Sequence, residues 1–151
     1  MIAPDNACPT PSIDEKIAHY RQQFAACEDV TARYTYLIDL ARRALPFPEE
    51  FRIDPFRVPG CLSRVWLVPR MESDTIRYVS DSDALLVKGT VTLISDVYSG
   101  HTPAEIMENT TDLLTELPLG FILSMNRRNG AYFMLRRVKE YAQRRLTVTS
   151  A

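Results

Sequence analysis

Apolar positions first settle into a helical rhythm at Ile13, Ile17, Tyr20 and Phe24, a spacing that lines one face of a 3.6-residue period. Ser12 and Glu15 supply the S-x-x-E pattern of a capping box just ahead of them. The pattern predicts an amphipathic helix that opens after Ser12 and ends near Cys27. A second helix is expected behind Asp29 as N-cap, with Val30, Tyr34, Leu37, Ile38, Ala41 and Leu45 on its apolar face and Pro46 as its stop. The next stretch, PFPEEFRIDPFRVPG, holds four prolines and a glycine, so it reads as a long connection winding over the surface.

Past Cys61 the rhythm changes. Val65-Trp66-Leu67-Val68 is rich in strand formers, and Thr75 to Val79 alternates as a half-buried partner, with Met71 to Asp74 between them. This predicts a β-hairpin. Ser80-Asp81-Ser82-Asp83 offers N-cap side chains for a helix over 84–98 that is apolar nearly all round, as a core helix is, with Gly89 allowing close packing. Thr102-Pro103-Ala104-Glu105 is a second capping box with proline at the first helical position. Residues 110–125 hold a possible turn of helix at Leu113 to Leu117, broken by Pro118-Leu119-Gly120. The last expected helix runs from Ala131 to about Arg145, with Met134, Leu135, Val138, Tyr141 and Ala142 inward.

The chain has 151 residues, 46% of them hydrophobic and 25% charged, with a net charge of -1. That describes one globular domain with a real core rather than a disordered chain. It gives no global pull toward nucleic acid or an anionic membrane. Three prolines among small polar residues make 1–11 a flexible N-terminal tail, leaving 12–151 as the single domain. No apolar run is long enough to span a bilayer, and the first residues carry neither a basic region nor an apolar one. A cytoplasmic location is expected.

Three cysteines, Cys8, Cys27 and Cys61, are too few and too far apart for a disulfide framework, and no CxxC or His cluster points to zinc. No metal and no cofactor are expected. Cys27 stands beside Glu28 and Asp29, whose charge opposes a thiolate. Cys61 follows the Pro59-Gly60 turn and precedes a strand, so it sits at a loop tip held by rigid structure. Arg57 and Arg64 flank it, and cations favour the thiolate. From the residues alone, a reactive thiol and a small hydrophobe packed under the loop fit alike. A Cys–His hydrolase would need His19 or His101 against the sulfur, and both read as ordinary polar positions. Arg127, Arg128, Arg136, Arg137, Lys139, Arg144 and Arg145 form a basic stripe; a solvated face suits the chain's overall charge better than an RNA-binding surface does.

Four segments together resemble one family. Gly60-Cys61-Leu62-Ser63-Arg64-Val65-Trp66-Leu67 is similar to the GC-x-S-x-VW core of SufE proteins, and Ser80 to Gly89 to their GDSDA-x-x-VKG segment. Gly100 to Ile106 resembles TP-x-EI, and Leu123 to Gly130 resembles L-[ST]-PSR-x-NG. The resemblance implies an α+β fold like that of the IscU scaffolds, a small antiparallel sheet covered by helices. It implies a sulfur acceptor that takes persulfide onto Cys61 from a SufS-type pyridoxal-phosphate cysteine desulfurase and delivers it toward a SufBCD-type scaffold. Asp83 and Arg127 match the family's acidic and arginine positions. With Gly60 and Ser63 they are the residues expected to shape the loop or the partner interface. A monomer or weak homodimer is expected. Leu62, Arg64, Ser80 and Met125-Asn126 depart from the pattern and bear on partner specificity. One ligand-capable cysteine argues against a cluster scaffold. A non-carrying allosteric activator remains the alternative.

Overall fold

The computed structural model describes residues 10–117, 119 and 125–150, the side chains of 125, 149 and 150 apart. Most of the expected tail, Cys8 included, lies outside the described residues. Helix α1 spans Ile13–Ala25, closed at its start by the full Ser12–Glu15 capping box, and buries Ile13, Ile17, Tyr20 and Phe24. Helix α2, Val30–Arg43, is capped by Asp29, whose carboxylate accepts the Ala32 N–H. Only Leu37 and Ala41 of its expected face are fully buried. Leu45 lies past the helix end and is 85% exposed, because Ala44 already has extended backbone.

Strands β1, Val65–Glu72, and β2, Thr75–Ser82, form an antiparallel hairpin in register from Val65 opposite Ser82 to Glu72 opposite Thr75. A two-residue turn joins them, with Ser73 at φ 60°. Ser80 to Ser82 therefore continue the strand instead of capping the next helix: β1 still offers Val65 to Leu67 as partners, and pairing wins. Ala84 takes the N-cap of α3, Leu85–Tyr98, with no side-chain hydrogen bond. Gly89 is needed there, since a Cβ would fall 2.0 Å from the Leu37 carbonyl oxygen of α2.

Helix α4, Pro103–Glu108, opens on the second capping box, and α5, Leu113–Glu116, is a single turn capped by Asp112. The last helix, α6, runs Met125–Ser150, six residues earlier at its start than the periodicity predicts. Its Ala131, Met134, Val138, Tyr141 and Ala142 are buried. Two hydroxyls tie it to the sheet: Tyr141 donates to the Leu67 carbonyl at 3.1 Å, and Val138 accepts from Tyr78 at 2.8 Å.

Both faces of the hairpin are covered, which explains why β1 reads as an unbroken apolar run. Val65, Leu67, Ile76 and Tyr78 enter the main core with α1, α3 and α6. Trp66 and Val68 turn the other way, onto Phe47, Phe51 and Phe56 of the proline-rich connection. That connection, expected to wind over the surface, carries two short 3₁₀ turns, Glu49–Phe51 and Asp54–Phe56. Its Arg52 guanidinium lies 5.1 Å from the Phe47 ring centroid and 5.2 Å from that of Trp66. It also pairs with the buried Asp81 at 2.5 Å, whose other oxygen meets Lys88 at 3.3 Å.

Candidate functional site

The connection delivers the chain to Cys61 through a short antiparallel bridge: Val58 donates to the Val65 carbonyl at 2.8 Å. Gly60 then turns with φ 89°, a region other residues avoid. A Cβ there would also strike the Phe133 ring at 2.5 Å. Cys61 is thus turned inward toward α6, where its thiol donates to the Gly130 carbonyl at 3.5 Å. The sulfur packs against Gly130, where a Cβ would lie at an ordinary contact distance of 3.4 Å from Sγ.

The thiol is half-buried, with an open cleft of about 380 Å³ on one side, lined by Leu62, Ser63, Val87, Asn126, Arg127 and Met134. A shallower hollow on the other side is lined by Asp54, Arg57, Pro59, Gly60 and Arg137. Gly60, Cys61, Ser63 and Arg127 therefore meet at one place. Leu62, next to the sulfur, is 82% exposed.

Asp83 stands behind this tip. Its carboxylate accepts the Arg64 N–H at 3.1 Å, its own N–H donates to the Arg64 carbonyl at 3.3 Å, and Ser82 Oγ donates to the same carbonyl at 2.7 Å. Arg64, three residues after Cys61 and immediately ahead of β1, is pinned by these bonds. The Arg64 guanidinium reaches Asp83 only at 3.9 Å, with both side chains exposed, which adds little.

Of the two readings left open for Cys61, its surroundings favour the packed thiol over the cation-favoured thiolate. Burial pushes the Cys61 pKa up to about 11, and Arg57 opposes this only in second place. Arg64 is turned to Asp83 instead. At neutral pH the resting thiol is therefore protonated. It is a sheltered sulfhydryl at the lip of a cleft.

Other candidates separate from this site. Cys27 is half-buried at the end of α1, its thiol donating to the Gln23 carbonyl at 3.4 Å. No described histidine lines either hollow beside Cys61. His101, read as an ordinary polar position, either surface or in local contacts, is buried against β2, where burial and nearby Lys16 lower its pKa. The basic stripe is broken up by packing: Lys139 donates to the Ile106 and Asn109 carbonyls, and Arg137 donates to the Arg57 carbonyl at 2.9 Å. Arg136 and Arg137 both reach Glu140. Among the described residues no group of three or more His, Cys, Asp or Glu side chains could hold a metal ion, and no helix is long and apolar enough to cross a membrane.

Gly130 and Phe133 are the site residues that pattern reading missed. A glycine at the head of an apolar period reads as a helix boundary, whereas α6 passes straight through it.

A two-stranded sheet walled by helices, with one half-buried cysteine at a glycine turn, defines a small α+β thiol protein. The chain belongs to the SufE family: residues 18–142 match the family model described as SufE, Fe-S metabolism associated domain. It is 33% identical over 132 residues to an uncharacterized SufE-like protein of Synechocystis, covering 87% of this chain and 83% of that one. A further SufE-like protein, of Rhizobium meliloti, is 34% identical over 128 residues, 82% and 91% of the two chains. The cysteine desulfuration protein SufE of Wigglesworthia glossinidia brevipalpis is 28% identical over 130 residues, 85% and 90%. A solution structure of a hypothetical protein from Thermus thermophilus shares the fold with a TM-score of 0.73 at 19% identity, over 87% of this chain and 96% of that one.

Proposed function

We propose that the chain is a sulfur acceptor for a cysteine desulfurase, with Cys61 as the carrier. The observation that supports it most directly is the thiol's setting, on a loop tip at the lip of an open cleft beside the exposed Leu62. Family membership and the similarity to a protein named for cysteine desulfuration point the same way. Once the thiol is deprotonated, the Cys61 thiolate attacks the outer sulfur of the desulfurase persulfide. A Cys61 S–S bond forms, the donor S–S bond breaks, and the desulfurase cysteine leaves as thiolate. The carried sulfur passes on by the same exchange, toward an iron–sulfur scaffold of the SufBCD type. Gly60, Ser63, Asp83 and Arg127 would shape the loop or meet a SufS-type partner, in the cytoplasm, with the carrier a monomer or weak homodimer.

Incubation with a desulfurase and cysteine tests this. Mass spectrometry should find one added sulfur on Cys61, and Cys61→Ser should carry none and stimulate no turnover. Because the resting thiol is protonated and sheltered, a second reading is activation by docking alone. It is the one supported if Cys61→Ser still binds the desulfurase and still accelerates it.

A further inference from the structure

The edge of β2 that faces away from β1 is only partly used. Ile76 turns its backbone outward there, donating to the His101 carbonyl at 2.9 Å and accepting from the Gly100 N–H at 2.8 Å. An antiparallel ladder alternates with a period of two, so Tyr78 and Ser80 turn their backbone groups to the same edge. Ser99 Oγ takes the Tyr78 N–H at 2.8 Å. The Tyr78 carbonyl and both backbone groups of Ser80 meet no partner among the described residues. An unpaired stretch of strand edge is a template for another extended chain.

These groups open into a groove of about 360 Å³ between β2 and the end of α2, with Ser95 and Asp96 of α3 beneath it. Leu40, Arg43 and the exposed Leu45 form the far wall. The charges in the groove are unequally engaged. Asp96 accepts from the Tyr20 hydroxyl at 2.6 Å and attracts the Lys16 ammonium, and Arg77 is held by Glu72 at 3.0 Å. Arg43 spends its Nε–H on the Asp39 carbonyl at 3.3 Å and meets no carboxylate among the described residues.

We propose that this groove receives an extended segment of a partner protein, added to β2 as a further strand with an acidic side chain on Arg43 and an apolar one on Leu40 and Leu45. Main-chain bonds to Tyr78 and Ser80 supply affinity, and the side chains supply selectivity. The groove is separate from the thiol. Val87 lines the Cys61 cleft while Ser95 and Ser99 line the groove, about 12–18 Å further along the same helix at ~1.5 Å per residue. A protein bound by this edge leaves Cys61 free to serve another.

The probe is a blocked pentapeptide, acetyl-Thr-Val-Glu-Val-Thr-amide, titrated into the isotope-labelled full chain and followed by NMR. Shifts should concentrate at the Val79 and Ser80 amides and at the Arg43 Nε–H, with slower exchange at Ser80. A peptide with lysine in place of glutamate should bind about fivefold more weakly, and Arg43→Glu should reverse that preference. The proposal is overturned by equal binding of the two peptides, by shifts that map elsewhere or are absent at millimolar peptide, or by edge shifts that appear with protein concentration alone, as when a second copy fills the edge.

Discussion

The Cys61 thiol donates to the Gly130 carbonyl at 3.5 Å. A Cβ at position 130 would lie 3.4 Å from the sulfur, an ordinary contact distance. In the interior of a helix alanine is favoured over glycine by about 1 kcal/mol, so Gly130→Ala should fold with stability raised by up to about that much and leave the thiol in place. Its pKa should stay well above the ordinary value of 9.0, and alkylation by iodoacetamide should be no faster than in the wild type. Alkylation about tenfold faster, the effect of one pKa unit lost, would show that the methyl displaces the thiol.

The raised thiol pKa also fixes a sign for pH. Folded Cys61 keeps its proton between its ordinary value of 9.0 and about 11, while the unfolded chain loses it across that window. The folded state then binds more protons, so its stability is fully present below the lower value and declines as pH rises toward the upper one. Tyr20, Tyr78 and Tyr98, also raised by burial, act in the same direction at higher pH. The difference between wild type and Cys61→Ala isolates the thiol. Their urea midpoints should draw together or cross as pH rises through the window, and a constant separation would contradict the assignment.

Asp83 should matter through the Arg64 amide. Asp83→Ala removes the acceptor of a backbone N–H beside the reactive tip, at about 1 kcal/mol, and should speed hydrogen exchange of that amide about fivefold. Asp83→Asn keeps an acceptor and should restore most of the protection. If both variants exchange alike, the carboxylate oxygen is not what holds the strand start.

Arg52 joins the second apolar cluster to the buried carboxylate of Asp81. Arg52→Ala removes its contact with both rings and leaves Asp81 with Lys88 as its ion-pair partner among the described residues. Removing one member of a buried pair costs about 3–5 kcal/mol; with Lys88 still present and the Arg52 side chain 29% exposed, about 2 kcal/mol is expected. Chemical denaturation should show it, together with an altered tryptophan signal from Trp66. A loss below about 0.5 kcal/mol, the range of ordinary surface changes, would mean that the pair does not hold the connection.

Local grammar was legible wherever the signal was local. Ser12 with Glu15, Asp29, and Thr102 with Pro103 and Glu105 cap the helices they were expected to cap. What could not be read depends on distant partners. Ser80 to Ser82 suit a helix cap equally well, and only the facing residues of β1 keep them in the strand. Phe47, Phe51 and Phe56 have no period, so their convergence on Trp66 is invisible along the chain. At the site, the turn and Cys61 were legible from Pro59-Gly60, but the thiol's protonation was not. Burial against α6 is a tertiary effect, and it outweighs the flanking cations that a linear reading counts first.

The folding of the proline-rich connection onto Trp66 and Val68 makes it a roof for the hairpin. A two-stranded ribbon is marginal by itself, and surface loops usually tolerate changes in length at small entropic cost. Here, shortening the segment between Phe47 and Phe56 would unroof the outer face of the sheet. What looks like slack ahead of the thiol is measured span, and grafting the Cys61 tip into another scaffold would have to bring the roof along with it.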